Sequence, residues 1–192
     1  PVRTCVVLAL VLTAHTVFNG LVFDDHMFRA RGLQGRFGAM LGSTDNYFLN
    51  TSDTDEHRAE ARAAGLFPWW SSREARNAKW APLASALHRF DYAWFPFQPW
   101  VMHLHSLLWW LALVSAAAFL YRTVDGGAPV VAALAAGLFT LDDAHGFSLG
   151  WVANRHELVA SVFGCLALAA SLRPGLLWRV AGPVLWALAL LS

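Results

Sequence analysis

The stretch VMHLHSLLWWLALVSAAAFLY, residues 101–121, decides the fold class of this chain. It contains no Asp, Glu, Lys or Arg, and as a helix it would be about 30 Å long, which matches the hydrocarbon core of a bilayer. The whole composition agrees, because 57% of residues are hydrophobic and 14% are charged, against roughly 45–50% and 25% in soluble domains. The chain is therefore predicted to be an integral membrane protein.

Four further apolar stretches surround this one and predict additional spans. The predicted spans cover about residues 4–23, 101–121, 127–144, 156–172 and 176–192, in a single membrane domain 1–192. A cleaved signal peptide is the rival interpretation of the first stretch, but Phe23-Asp24-Asp25-His26 follows it in place of a small-residue cleavage site. We expect an all-α, polytopic transmembrane helical bundle.

The last predicted span is interrupted at Ser192, and the chain does not begin with Met. We therefore expect it to be the N-terminal part of a longer protein. Its net charge of +1 provides no electrostatic basis for a nucleic-acid partner. Cys5 and Cys165 both lie in apolar stretches, so a disulfide framework is not expected.

Basic residues in the short loops predict the orientation. If the spans alternate, Arg3, Arg122, Arg173 and Arg179 all fall on one side of the membrane. The opposite short loop, residues 142–157, holds three acids and one Arg. By the positive-inside rule the N-terminus is cytoplasmic, and the long loop 24–100 and the loop 142–157 are extracytoplasmic.

The long loop 24–100 is predicted to carry structure of its own. Apolar residues alternate with arginines from His26 to Leu41, which predicts an amphipathic helix on the membrane surface. The pattern Thr51-Ser52-Asp53 followed by Gly65 has the start and stop signals of a short polar helix. Aromatic residues of this loop are typical of a membrane interface: Phe67, Trp69, Trp70, Trp80, Trp94, Phe95, Phe97 and Trp100.

Two acidic pairs are the candidate chemical groups. Asp24 and Asp25 follow the first span, where adjacent carboxylates can hold a divalent cation or provide a general base. Of the two, Asp25 is preferred, because it lies further beyond the apolar stretch. The alternative is a polar stop at the end of the helix. Asp142 and Asp143, with His145 behind them, face the same predicted compartment.

The two pairs are expected to share one outward-opening cleft with Arg155, since ionisable groups at membrane depth tend to face a cavity or a partner. A charge pair between Arg155 and the acids of its own loop is the structural alternative. His103 and His105 stand two apart and point to different faces of a helix, so they cannot form a simple metal-binding pair. Glu157, three residues after Asn154, fits a capping box.

The string Gly146-Phe147-Ser148-Leu149-Gly150 matches a nucleophile-elbow pattern. That pattern requires a strand before the serine and a helix after it. Here a hydrophobic helix is predicted before it, and the chain has no β-rich segment. A membrane hydrolase using Ser148 is therefore only a minor alternative.

Three segments, in order, resemble one family. They are Phe23-Asp24-Asp25, then Lys79-Trp80-Ala81-Pro82-Leu83 leading to Met102-His103-Leu104-His105-Ser106, and then Gly150-Trp151-Val152-Ala153-Asn154-Arg155-His156-Glu157-Leu158. Together they resemble the N-terminal half of membrane glycosyltransferases of the C superfamily. The nearest branches are those similar to protein O-mannosyltransferases and to tetratricopeptide-bearing O-mannosyltransferases.

The sequence departs from this family at two motifs. The usual His-Pro before the Trp element reads Asp142-Asp143-Ala144-His145, and the usual Arg-Pro-Leu reads Ala81-Pro82-Leu83 with a basic residue at Lys79.

The resemblance implies transfer of a sugar from a polyprenyl-phosphate donor to an acceptor hydroxyl, on protein or glycan, at the extracytoplasmic face. Asp25 or Asp24 would be the catalytic base. The implied substrate-binding residues are Lys79, His103, Asp142, Asp143, His145 and Arg155. Metal dependence stays open, with a divalent cation as a candidate cofactor. A non-catalytic transporter or scaffold that binds ions at the acidic pairs is the alternative function.

Overall fold

The computed structural model describes residues 2–33, 35, 38, 45, 47–48, 55–65, 68–72, 79–124 and 129–192. Helices are the only regular secondary structure in these residues. They are α1 (Val2–Thr13), α2 (Asp25–Gly32), α3 (Asp55–Ala63), α4 (Pro82–Trp94), α5 (Pro99–Val124), α6 (Pro129–Leu141), α7 (His145–Gly150), α8 (Arg155–Ser171) and α9 (Leu176–Leu190). Two short 3-10 helices, Ala14–Phe18 and Val152–Asn154, precede α2 and α8. The predicted all-α class is confirmed for the part of the chain that the structure describes.

α5 is the central helix of the bundle. It has 26 residues, which corresponds to about 39 Å, and among the described helices it alone is both long and apolar enough to cross a membrane. The helical stretch Arg3–Phe18 and helices α6 and α9 are apolar but shorter. This finding gives weak support to membrane association, and the further predicted spans remain proposals.

The apolar core lies between α5 and its neighbours. α5 contacts α1, α6 and α8, and α9 packs against α8. Trp110, Leu113 and Val114 of α5 are each at most 3% exposed. Where α8 meets α9, a Cβ on Gly182 would lie 3.8 Å from the Cβ of Ala170, so small residues let the two helices approach closely.

The first predicted span is not one continuous helix. α1 ends at Thr13, the 3-10 helix ends at Phe18, and the backbone at Asn19 is extended. The Thr13 hydroxyl donates to the Ala9 carbonyl at 2.6 Å, and the Thr16 hydroxyl donates to the Thr13 carbonyl at 2.7 Å. Such bonds compete with the regular helical ladder. The prediction of helix through residue 23 is therefore wrong beyond Phe18.

The long loop contains three helices among its described residues. α3 agrees with the predicted polar helix, and it is followed by Gly65 at φ +75. α2 is shorter than the predicted amphipathic helix, and much of the remainder of residues 26–41 lies outside the described residues. α4 packs against α2, and a Cβ on Gly32 would come within 2.8 Å of the Tyr92 Cβ, so this contact requires glycine.

Polar and basic residues occupy opposite ends of α5. At its beginning, His103 Nε2 donates to the Gly20 carbonyl at 3.2 Å, which brings the chain after α1 to this end. Towards its other end, the Arg173 guanidinium lies 4.5 Å from the Phe119 ring centroid and 4.9 Å from that of Trp178. α8 ends at Ser171, next to Arg173, so its start lies at the opposite end of α5, where His103 contacts Gly20. The start of α2 follows Gly20 in the chain and lies at this same end, where the candidate site forms.

Candidate functional site

A cleft of about 180 Å³ lies at the polar end of the bundle. It is lined by Asp24, Phe28, Phe48, Lys79, Trp151, Ala153, Asn154 and His156. Four separate segments contribute to it: the start of α2, Phe48, Lys79 shortly before α4, and the chain from the turn after α7 to the start of α8. The cleft brings together Asp24 and Lys79, two of the residues predicted from the sequence.

Asp24 is positioned by a tight turn before α2. The Asp25 N–H donates to the Val22 carbonyl at 3.0 Å, and between them Phe23 has a φ of 46°. A non-glycine residue in the left-handed region costs of order 1–3 kcal/mol, and such strain is concentrated at functional sites. The Asp24 carbonyl accepts the Phe28 N–H at 2.8 Å, so Asp24 is the N-cap residue of α2, and it lines the cleft.

Asp25 has a different environment. Its side chain is 0% exposed, and its carboxylate accepts N–H bonds from Val22 at 3.0 Å, Val152 at 3.3 Å and Ala153 at 2.6 Å. Burial raises its pKa, while the three N–H bonds and nearby His103 lower it. The prediction that Asp25 reaches an acceptor more readily than Asp24 is wrong, because Asp25 fastens α2 to the 3-10 turn before α8.

Lys79 provides the basic group of the cleft. Its side chain lies with Nζ 5.3 Å from the Phe48 ring centroid, and its backbone N–H donates to the Phe48 carbonyl at 3.2 Å. Burial of part of the side chain lowers the pKa of Lys79, and the Glu157 carboxylate acts in the opposite direction. An ammonium group at this place can bind an anion such as a phosphate.

His156 is a cleft residue that the sequence analysis did not select. Its Nδ1 lies 3.2 Å from the Ala153 carbonyl, which can only accept, so Nδ1 carries the hydrogen. In the neutral ring Nε2 is then an acceptor. The ring packs edge-on against Phe48, with centroids 4.9 Å apart.

Arg155 does not line this cleft. It forms a buried ion pair with Asp91 of α4, its Nε donates to Ser106 Oγ at 2.9 Å, and its Nη2 donates to the Met102 carbonyl at 2.8 Å. The structural alternative, a charge pair between Arg155 and the acids of its own loop, is not what the structure shows. Asp91 is the better partner because α4 folds over the start of α5 and brings its carboxylate to the guanidinium.

His105 is a third member of the polar cluster that contains Asp91 and Arg155. Its Nε2 accepts the indole N–H of Trp109 at 3.1 Å, and its Nδ1 lies 2.9 Å from Asp91 Oδ1. An indole N–H can only donate, so the hydrogen of His105 lies on Nδ1 and is given to Asp91. His103, by contrast, is 0% exposed and donates to the Gly20 carbonyl. The two histidines thus face different partners, as the helical spacing predicts.

The second acidic pair lies outside the cleft. Asp142 and Asp143 are exposed, and Asp142 Oδ1 accepts the N–H of Ala144 at 3.0 Å within its own turn. The predicted common cleft for both acidic pairs and Arg155 is therefore wrong. α6 ends at Leu141 near the bundle surface, so its terminal carboxylates are solvated instead of facing a partner.

His145 lines a second, larger groove together with Ser148 and Glu157. Ser148 Oγ donates to Glu157 Oε2 at 2.8 Å, and Asn154 Nδ2 donates to the same oxygen at 2.9 Å. Ser148 lies within α7, so the strand–turn–helix context of a nucleophile elbow is missing. The expected capping box is also wrong, since Asn154 makes no side-chain cap bond and Glu157 binds side chains instead.

No group of three or more His, Cys, Asp or Glu side chains within the described residues is arranged to hold a metal ion. Among those residues, Asp24 and Asp25 therefore have no third His, Cys, Asp or Glu side chain beside them that would complete a metal-binding group.

The residues that sequence reasoning missed share a recognisable pattern. Asp91 belongs to a buried face of α4 formed by Ala84, Ser85, His88, Asp91 and Tyr92. This spacing of three and four residues is that of one helix face, and it mixes small and polar residues. The pattern could have indicated a helix packed on polar partners, although it does not identify Arg155 as the partner.

Comparison of the chain with protein-family models, with characterised proteins and with solved structures found no match. The resemblance to the glycosyltransferase superfamily therefore rests on the short motifs alone.

Proposed function

We propose that the protein is a membrane glycosyltransferase that moves a sugar from a polyprenyl-phosphate donor to an acceptor hydroxyl on a protein or glycan. The observation that carries this proposal is that Asp24 and Lys79 line the same cleft. A base and a phosphate-binding cation are the two groups that this reaction requires.

The proposed chemistry assigns one step to each group. Asp24 takes the proton of the acceptor hydroxyl as its oxygen forms a bond to the anomeric carbon of the donor sugar. The bond between that carbon and the phosphate oxygen breaks, and its electron pair remains on the phosphate. Lys79 stabilises the phosphate as its negative charge increases. This arrangement replaces Asp25 by Asp24 as the proposed base, because Asp25 is enclosed by backbone donors.

The walls of the cleft suit a sugar ring attached to a lipid. Phe28, Phe48 and Trp151 provide aromatic surfaces, and Asn154 and His156 provide polar groups. Sugars present both apolar faces and hydroxyl groups, so such a mixture of walls can bind both. The cleft lies at the end of α5 where several exposed aromatic residues lie before the helix or in its first turn: Trp80, Trp94, Phe97 and Trp100. Exposed aromatics of this kind are typical of a membrane interface.

The membrane topology is part of the same proposal. We propose that α5 crosses the bilayer and that the shorter helices α1, α6, α8 and α9 are buried in it beside α5. The basic residues Arg122 and Arg173 are then cytoplasmic, and the cleft is extracytoplasmic. A polyprenyl-phosphate donor would approach from the surrounding lipid, and the acceptor from the aqueous side.

Sugar transfer by the full-length protein in liposomes tests this function directly. The liposomes contain a radiolabelled polyprenyl-phosphate sugar, and the lipid and acceptor products are separated after incubation. Label in the acceptor fraction that disappears in Asp24→Asn and in Lys79→Met is the expected result. Asp143→Asn, an exposed carboxylate outside the cleft, is the matched control and should transfer normally. Absence of transfer with every common donor sugar, or normal transfer by Asp24→Asn, would overturn the proposal.

A further inference from the structure

The groove beside α7 is a second site with its own character. It has a volume of about 410 Å³ and lies between α5, α6, α7 and α8. Its lining from α8 is Glu157, Leu158, Ser161, Gly164, Cys165 and Leu168. These residues recur every three or four positions, so the groove follows one face of α8 for about 16 Å. It is separate from the cleft that contains Asp24 and Lys79.

The groove is polar at one end and apolar along its length. At the polar end, Glu157 and Ser148 lie beside His145. Leu113 of α5, Phe139 of α6 and Leu168 of α8 line the apolar part. A ligand that fills such a space has a polar head joined to an apolar chain.

The charge of the lining favours a cationic head. Glu157 is the only charged residue of the described lining, and neither Lys nor Arg is present. Within the part of the chain that the structure describes, Glu157 accepts bonds from Ser148 and Asn154, both at Oε2, and Oε1 accepts none. Lys79 interacts electrostatically with Glu157, but it lines the other cleft.

One buried polar atom of a lining residue, His145 Nε2, also has no hydrogen-bond partner among the described residues. The His145 ring packs between Trp110 and Phe139, with centroid distances of 4.6 and 4.5 Å. Buried polar atoms without protein partners are uncommon, and they indicate a place where a polar group is missing. The aromatic rings beside His145 also favour a cation.

We propose that this groove binds an amphiphile with a primary ammonium head and a single apolar chain. The ammonium donates to Glu157 Oε1 and to the hydroxyl of Ser161, and the chain lies along the face of α8 towards Leu168. A primary ammonium suits these acceptors because it has three N–H donors, whereas a quaternary ammonium has none. This site does not depend on the proposed sugar transfer.

Native mass spectrometry of the full chain, released from an uncharged detergent, tests the proposal. The probes are dodecylammonium, dodecyltrimethylammonium, dodecanol and dodecyl sulfate, which differ only in their heads. Dodecylammonium should bind at least tenfold more tightly than each of the others. Glu157→Gln keeps the acceptor for Ser148 and Asn154 but removes the charge, and it should abolish this preference. Glu56→Gln, an exposed carboxylate on α3, should leave it unchanged.

Cys165 locates the bound probe, because its side chain lines the groove. In a Cys5→Ser background, dodecylammonium should slow alkylation of Cys165 by N-ethylmaleimide at least fivefold, and less in Glu157→Gln. Ser161→Ala provides a second variant that leaves the Ser148–Asn154–Glu157 bonds intact, and it should weaken binding. Equal binding of all four probes, or a preference that survives Glu157→Gln, would overturn the proposal and leave an apolar groove without head selectivity.

Discussion

Asp91 of α4 and Arg155 of α8 form an ion pair in which each side chain is 1% exposed. The pair joins the loop helix α4 to the bundle, and Arg155 also bonds to Ser106 and to the Met102 carbonyl of α5. Three helices therefore meet at one guanidinium. Because Asn154 and His156 flank Arg155 and line the cleft, this pair positions the start of α8 for the proposed chemistry.

Removing Arg155 should destabilise the protein strongly. Arg155→Met leaves Asp91 buried without its cation, and breaking a buried pair in this way costs about 3–5 kcal/mol. The double variant Asp91→Leu/Arg155→Met should recover much of this loss, because no charge remains buried. Denaturant unfolding in detergent micelles measures both.

The control for this prediction is the exposed pair of Arg89 and Asp45, whose side chains are 61% and 78% exposed. Arg89→Met should cost about 0–1 kcal/mol, as is usual for surface pairs. Equal losses for Arg89→Met and Arg155→Met would contradict the importance of the buried pair.

The sequence predicts the apolar helices well because their signal is local. α5, α8 and α9 begin and end within a few residues of the predicted spans, since charged or helix-breaking residues border each apolar stretch. The first span fails for an equally local reason. Thr13 and Thr16 bond back to carbonyls of the preceding turn where the α-helix changes to a 3-10 helix, and counting apolar residues does not include such competing bonds.

The site is less predictable because it depends on contacts between distant segments. The motif residues Asp24 and Lys79 do meet in one cleft. However, which of two adjacent aspartates faces that cleft depends on Val152 and Ala153, whose N–H groups bind Asp25 from across the chain. Similarly, nothing near Arg155 in the sequence indicates that Asp91 is its partner.

Lys79 provides a prediction about pH. Its pKa is lowered from 10.5, so its ammonium loses its proton at a lower pH than an ordinary lysine does. Binding of labelled polyprenyl phosphate should therefore decline as the pH rises towards 10.5, before an ordinary lysine would titrate. Lys79→Arg should move this decline to higher pH, because guanidinium keeps its charge. A binding profile that is identical in the two proteins would show that another group is responsible.

The same shift has a consequence for stability. In the interval between the lowered pKa of folded Lys79 and 10.5, the unfolded chain holds the proton and the folded protein does not. The contribution of Lys79 to the free energy of unfolding therefore rises with pH in that interval. Lys79→Met should lack this rise when unfolding is measured between pH 8 and pH 11.

Thiol labelling tests the proposed topology. Single cysteines at Glu56 of α3 and Gly146 of α7, both exposed, should react with an impermeant reagent in intact cells. A cysteine at Val124, the last residue of α5 and 65% exposed, should react only after permeabilisation. The background lacks Cys5 and Cys165. Labelling of the Val124 variant in intact cells would reverse the orientation and place the cleft on the cytoplasmic side.

Asp24 and Asp25 are adjacent in sequence but should respond oppositely to the same substitution. Asp24→Asn removes the proposed base from the cleft and should lower sugar transfer by about 10²–10⁴, with little change in the free energy of unfolding. Asp25→Asn replaces one acceptor oxygen by an amide N–H₂ among three backbone donors. It should lower the free energy of unfolding by roughly 1–3 kcal/mol, because buried N–H groups lose their partner.

Comparing both variants in both measurements separates chemistry from folding. Transfer is assayed in liposomes with protein that has passed size-exclusion chromatography, so that unfolded material does not count as inactive enzyme. Asp25→Asn protein that remains folded should keep most of its transfer activity, because its carboxylate does not line the cleft. If folded Asp25→Asn were inactive while Asp24→Asn transferred normally, Asp25 would be the base. The Asp25 side chain, which is buried after the turn at Phe23, would then have to become accessible during the reaction.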